Sequence, residues 1–129
     1  MSQPTLIAAA ALRDWHANFA WVVVIANGLA GAWVLAANWV EPLRVRPMWW
    51  FVVAAELTIF VQVGLGVGIV AAEDIEAPQF HMFYGFVAII TVAIIYSYRQ
   101  QVSQHMYLLY GFGGLFLMGL AIRAMFIEG

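Results

Sequence analysis

The stretch Phe80-His81-Met82-Phe83-Tyr84-Gly85 places a histidine at the start of a long apolar run. An acidic segment, Glu73-Asp74-Ile75-Glu76, lies shortly before it. An apolar run of about 20 residues is long enough to cross a bilayer as an α-helix. Histidine is titratable and a common metal ligand, and ionisable groups at membrane depth usually mark function. The stretch therefore predicts a membrane helix with a chemically active residue near its end.

The composition of the whole chain predicts the same fold class. Of its 129 residues, 65% are hydrophobic and 9% are charged. A soluble domain of this size has too little interior to bury so much apolar surface. We therefore expect one integral membrane domain over residues 1–129. The chain has no cysteine, which excludes thiolate metal sites, and its net charge of −2 provides no basic patch for nucleic acid.

Four apolar runs separated by short polar segments predict four transmembrane helices. The predicted helices cover about residues 15–39, 48–72, 80–98 and 102–127. Because the connections are short, consecutive helices must be antiparallel neighbours, which gives an all-α, up-down-up-down bundle. Residues 4–13 are expected to form a short interfacial helix or an extension, since the apolar run that follows exceeds a signal-peptide core of about 7–15 residues.

The arginines predict an orientation in the membrane. Arg44, Arg46 and Arg99 lie in the first and third connections, whereas the second connection carries only acids. Cytoplasmic loops of membrane proteins are enriched in basic residues. We therefore expect the first and third connections in the cytoplasm and both termini outside.

Two helices carry an inward stripe that begins with a histidine. On the first helix the stripe consists of His16, Ala20, Val23, Asn27, Ala30 and Gly31, and on the third of His81, Gly85, Ala88 and Val92. The first and third helices run in the same direction and are diagonal partners in a sequential bundle, so both histidines lie at similar depth. Two histidines that face each other above small residues predict a bis-histidine haem b site, with the iron between them.

Other residues fit such a pocket. The expected pocket residues are Gly64, Gly66 and Gly68 on the second helix, Gly119 on the fourth, and Gln62 deeper down. Arg13 and Arg123 lie near the outer boundary, where haem propionates need positive partners.

A simpler interpretation is also open. Glycines in membrane helices commonly serve helix–helix contact, and Gly64 and Gly68 match a small-xxx-small pattern. A histidine near the headgroups can be merely interfacial. Arg123 can snorkel to the interface or pair with an acid of the second connection, namely Glu73, Asp74 or Glu76.

The order of these motifs resembles one half of a haem A synthase. In that family histidines lie on alternate helices with a Q-x-x-L-G helix between them, and here His16, Gln62 to Gly66 and His81 follow that order. The resemblance covers roughly residues 13–95 and implies haem-ligand roles for His16 and His81. The chain has one half rather than two, and Ala17 stands where the family usually has arginine, so the resemblance does not imply synthase activity. The chain is also similar to small bacterial four-helix membrane proteins with a His-x-x-Tyr-Gly pattern, which implies a bacterial cytoplasmic (inner) membrane.

Two functions remain open at this point, and whether the chain is an enzyme stays undecided. The first is a haem-b protein that transfers electrons or handles haem near the outer leaflet. The second is a non-catalytic accessory subunit of a larger membrane complex, for example a respiratory one. A homo-oligomer or larger assembly is expected, because Gly28, Gly31, Gly111 and Gly114 would let backbones approach closely.

Two further ionisable residues lie towards the cytoplasmic side. Glu56 is interpreted either as a proton-relay or partner-contact group or as a protonated, hydrogen-bonded acid within its helix. His105 has no second histidine at its depth, so a second bis-histidine haem is not expected.

Overall fold

The computed structural model describes residues 2–127, which form four long helices. The helices are α1 (Gln3–Ala37), α2 (Arg46–Glu73), α3 (Gln79–Tyr98) and α4 (Met106–Phe126). Short 3-10 turns at Glu41–Leu43 and Ser103–His105 precede α2 and α4. All four helices are long and apolar enough to cross a membrane, which confirms the predicted four-helix, all-α class.

The first helix begins much earlier than the predicted residue 15. Ser2 caps it, since its hydroxyl oxygen accepts a hydrogen bond from the Thr5 amide at 3.4 Å, and a proline occupies the first turn. Residues 8–11 are all alanine, the strongest helix former, so the helix runs on without a break. Residues 4–13 are therefore an extension of α1 and not a separate interfacial helix. With 35 residues, α1 is roughly 52 Å long at about 1.5 Å per residue, well beyond a hydrocarbon core of about 30 Å.

Arg44 closes the C-terminal end of α1. Its Nε donates a hydrogen bond to the carbonyl oxygen of Ala37 at 2.7 Å, and Nη2 donates to that of Asn38 at 2.8 Å. These carbonyls have no partner within the helix, and a cation suits the negative end of the helix dipole. Arg44, from which the orientation in the membrane was predicted, thus also holds the first connection in place.

The other helix boundaries lie close to the predicted ones. The end of α2 is capped by Asp74, which adopts the left-handed conformation with φ 52° and donates its amide hydrogen to the carbonyl oxygen of Val70. The fourth helix starts at Met106 rather than at 102, because residues 103–105 form a 3-10 turn.

The helices do not pack with equal closeness. α1 packs extensively on α4 and on α2, and α3 packs on α4 but touches α2 only lightly. α1 and α3 are therefore diagonal, as predicted, and the bundle is most open between α2 and α3.

Glycines bring α1 and α4 into backbone contact. A Cβ atom on Gly31 would lie 2.6 Å from the amide nitrogen of Leu115, and one on Gly111 would lie 2.8 Å from Cα of Leu35. Gly114 faces Gly31 in the same contact, and Gly28 faces the sulfur of Met118. These four glycines pack within the chain and so do not support the predicted self-association, which stays a prediction.

The hydrophobic core runs from the cavity around His16 and His81 to the opposite end of the bundle. Val34, Ala37 and Met48 are completely buried there. Asn27, only 1% exposed, is also buried, and its amide donates hydrogen bonds to the carbonyl oxygens of Val23 at 2.9 Å and Ala55 at 3.1 Å. The inward stripe predicted for α1 is confirmed, and Asn27 ties α1 to α2.

Candidate functional site

His16 of α1 and His81 of α3 meet across the diagonal of the bundle. Their ring centres are 5.8 Å apart and the ring planes are inclined at 73°. Both side chains are half-buried. His81 is the third residue of α3, whereas His16 lies well inside α1 because that helix starts at Gln3. The predicted similarity in depth is therefore confirmed, although His16 is not within one turn of a helix end.

A hydrogen bond to the neighbouring helix α4 orients His81. Its Nδ1 lies 3.0 Å from the carbonyl oxygen of Ala124. A carbonyl oxygen only accepts, so Nδ1 carries a proton, and in the neutral ring Nε2 then keeps its lone pair. This is the arrangement in which histidine serves as a metal ligand, with the second nitrogen held by an oxygen acceptor.

Two residues of α2 position His16. The Nε2 of Gln62 donates a hydrogen bond to the backbone carbonyl oxygen of His16 at 2.8 Å. One turn further on, Gly66 faces the imidazole, and a Cβ atom there would lie 3.2 Å from Cε1 of the ring. The missing side chain at Gly66 thus makes room for the imidazole rather than for a ligand, and the QVGLG segment is the support of His16.

A cavity of about 990 Å³ lies around the two histidines. All four helices line it, and the main contributors besides the histidines are Ala20, Gln62, Val63, Gly66, Tyr84, Gly85, Leu117, Leu120, Ala121 and Ala124. Its volume is at the upper end of the range of about 300–1,000 Å³ that is typical of cofactor and ligand sites.

The cavity opens sideways, between α2 and α3. Val67 of α2 and Phe86 of α3 both line it and are 63% and 64% exposed on the outer surface. The opening is at the level of apolar side chains, and α2 and α3 pack only lightly against each other. In a bilayer this opening would face lipid.

The cavity wall is mostly apolar, and the arginine on it is already paired. Arg13 lies at the rim and forms a two-pronged ion pair with Glu73, with Nε 2.6 Å from Oε1 and Nη2 bonded to Oε2. The Arg13 side chain is 57% exposed and that of Glu73 is 15% exposed. Glu73 was predicted as one of three possible partners of Arg123, and the structure gives it to Arg13 instead.

Four predicted pocket residues take no part in the cavity. Arg123 is exposed and does not line it, and Gly64 and Gly119 have open space where a Cβ atom would lie. Gly68 packs against Leu12 of the α1 extension, with its hypothetical Cβ 3.6 Å from the leucine. The expected role of these residues beside a porphyrin is not supported by their positions.

Glu56 and His105 also lie outside the cavity. Glu56 is half-buried within α2, and His105 is exposed in the 3-10 turn before α4.

Two contributors to the site carry no recognisable pattern in the sequence. Ala124 contributes its backbone carbonyl oxygen, and the type of its side chain gives no sign of that role. Glu73 pairs with Arg13 across 60 positions, a contact that arises only when the end of α2 meets the extended α1. Tyr84, next to the quoted glycine, was available from the sequence as a cavity residue, since it lies one turn from His81.

No family model, no curated protein and no solved structure matches this chain. The resemblance to one half of a haem A synthase stays a prediction that rests on His16, His81 and the Gln62–Gly66 motif. What the chain does must therefore be inferred from the cavity and its two histidines.

Proposed function

We propose that the chain is a membrane protein that holds one low-spin haem b between His16 and His81. The observation that carries the proposal is the 5.8 Å distance between the two ring centres. Metal–imidazole nitrogen bonds are about 2.0–2.1 Å long, so two nitrogens on opposite sides of one metal ion are about 4 Å apart and their ring centres roughly 6 Å apart. The two rings are thus close to the separation that a shared iron requires.

The donor set favours a haem over a bare metal ion. Among residues 2–127 there is no group of three or more His, Cys, Asp or Glu side chains that could enclose a metal. Two imidazoles leave most coordination positions of a transition metal unfilled, and a macrocycle supplies four nitrogens in a plane. The large apolar cavity around the histidines suits the body of such a macrocycle.

Each named residue then has a defined part. His16 and His81 would hold the iron, each through Nε2. Gln62 and Gly66 position His16, and the Ala124 carbonyl positions His81. Arg13, at the rim, is better placed than Arg123 to meet an acidic group of the ligand, although it would have to share its charge with Glu73.

Electron transfer is the activity that this ligation favours. A bound haem would supply one-electron chemistry, and ligation by both histidines would leave no position on the iron for oxygen or a substrate. The sideways opening favours a second candidate, haem handling, in which the protein takes up haem from the lipid phase and releases it there. Transfer of haem to an excess of apomyoglobin distinguishes them, since rapid loss supports handling and slow loss supports electron transfer.

The proposed location is a bacterial cytoplasmic membrane, with both termini outside. The support is the arginine distribution, Arg44, Arg46 and Arg99 in the first and third connections. The haem site would then lie in the outer half of the bilayer, because it is at the end of the bundle that holds the second connection.

Absorption spectroscopy of the purified protein tests the proposal. The expected result is a Soret band that sharpens and shifts on dithionite reduction. Replacing His16 or His81 with alanine should abolish the low-spin spectrum, whereas His105→Ala, a matched control outside the cavity, should leave it intact. A folded protein that stays colourless after reconstitution with haemin would overturn the haem proposal, and copurification with other subunits would then favour an accessory role in a larger membrane complex.

A further inference from the structure

Two polar atoms near the site are buried and have no hydrogen-bond partner within the described residues. They are Nδ1 of His16 and Oε1 of Gln62. Buried polar groups in folded proteins are nearly always paired, because an unpaired one loses the hydrogen bonds that it made to water. The pair therefore requires an explanation.

The two atoms belong to neighbouring residues and are chemically complementary. Gln62 is held beside His16 by the hydrogen bond from its Nε2 to the His16 carbonyl oxygen, at 2.8 Å. That bond identifies the nitrogen of the amide and leaves its oxygen as an acceptor. The Nδ1 of a neutral imidazole can be a donor, so each atom offers what the other needs.

Neither atom is exposed to the cavity in this structure. Both are closed to solvent, although Gln62 and His16 each contribute other atoms to the cavity wall. The contact between α1 and α2 is therefore where the structure favours a partner for both.

His81 shows how such a pairing works in this bundle. Its Nδ1 donates to an oxygen on the adjacent helix, the carbonyl of Ala124, so in the neutral ring Nε2 carries no proton. A matching acceptor for His16 would give both histidines the same protonation pattern.

We infer that Oε1 of Gln62 accepts the Nδ1 proton of His16, after a small side-chain rotation or through one buried water, and so holds His16 with Nε2 unprotonated. Gln62 is then a positioning residue and not a ligand. The inference deepens the proposed haem function, because only an unprotonated Nε2 can bind iron.

Nitrogen-15 NMR of the haem-free protein tests the tautomer directly. In a chain with His81→Ala and His105→Ala, His16 is the remaining histidine, since the sequence contains three. At alkaline pH, where imidazole is neutral, the ring-nitrogen shifts should show a proton on Nδ1 and none on Nε2. A predominant Nε2–H form in this parent chain would overturn the inference.

Variants in the same background identify the acceptor. Gln62→Met, close in size but without the amide, should shift the population towards Nε2–H, and Gln62→Glu, which keeps an oxygen acceptor, should retain Nδ1–H. The control is Gln79→Met, which removes an amide from the exposed rim of the same cavity and should change nothing. Equal spectra for the two methionine variants would refute the role of Gln62.

Two further results keep this test separate from the haem proposal. If Gln62→Met does not fold, the Gln62→Glu variant carries the test, since retention of Nδ1–H beside the carboxylate supports the inference and a change to Nε2–H overturns it. Because no haem is present, a correct tautomer in a protein that binds no haem would refute the proposed function and leave the Gln62 pairing standing.

Discussion

Gly31 of α1 lies directly against Gly114 of α4, so closely that a Cβ atom on Gly114 would be 2.8 Å from Cα of Gly31. Because of this contact, α1 and α4 are the most closely packed pair of helices in the bundle. α3 packs on α4, and His81 is bonded to Ala124 of α4. The distance between His16 on α1 and His81 on α3 is therefore set through α4, rather than by direct contact between the two histidine helices.

Replacing Gly31 with alanine should destabilise the bundle. The new methyl group would lie 2.6 Å from the amide nitrogen of Leu115, which is backbone and cannot move aside cheaply. We expect a loss of about 1–3 kcal/mol, the usual cost of overpacking, in unfolding by SDS or heat in mild detergent. The control is Gly119→Ala, which enters open space and should be neutral or slightly stabilising. Equal stability of the two variants would contradict the close contact of α1 and α4.

Replacing Gly66 with valine should displace the His16 imidazole. Even a Cβ atom would lie 3.2 Å from Cε1 of that ring, and the added methyl groups need more room. We expect haem affinity to fall by about 10–100-fold, the usual effect of disturbing the support of a metal ligand, and the low-spin signal to weaken. Gly64→Val is the matched control on the same helix, since no neighbouring atom lies within 4 Å of a Cβ atom built on Gly64. If both valine variants bind haem equally well, Gly66 is not the support of His16.

A disulfide between α2 and α3 should keep the two helices from separating at the sideways entrance to the cavity. A Cβ atom on Gly85 would lie 3.9 Å from Cγ2 of Val63, so cysteines at these two positions are near disulfide reach in a chain without other cysteines. Haemin added after oxidation should bind far more slowly than haemin added under reducing conditions. Protein loaded before oxidation should retain its haem.

The control for this lock is a cysteine pair at Gly28 and Met118, which joins α1 to α4 away from the opening. It should leave haemin uptake unchanged. Uptake at the same rate with the α2–α3 disulfide formed would show that haem enters by another route.

Single cysteines at Glu76 and Arg99 should be labelled from opposite sides of the membrane. Glu76 lies in the connection between α2 and α3, and Arg99 lies beyond the end of α3, so one membrane-spanning helix separates them. A membrane-impermeant maleimide added to intact cells should reach position 76 and not position 99, given the predicted orientation. Labelling of both positions from one side would refute the proposed topology.

Helix number and inward faces could be predicted because both depend on local spacing. Apolar runs of spanning length predicted α2 and α3 to within two residues at each end. The stripes from His16 to Gly31 and from His81 to Val92 do face inwards, since residues three and four apart share one side of a helix. The sequence left open whether residues 4–13 form a separate interfacial helix or an extension, and the alanines at 8–11 favour the extension because they keep the helix continuous.

The sequence by itself thus determined the class of fold, the four helices and the residues on their inner faces. Only the tertiary structure decided that Glu73 pairs with Arg13, that Gly66 serves His16, and that the glycines predicted for self-association join α1 to α4. Helical periodicity specifies which side of a helix a residue occupies, but not which neighbour meets that side or how closely. Those depend on where two helices approach to backbone contact and where they diverge, and hence on the packing of the whole bundle.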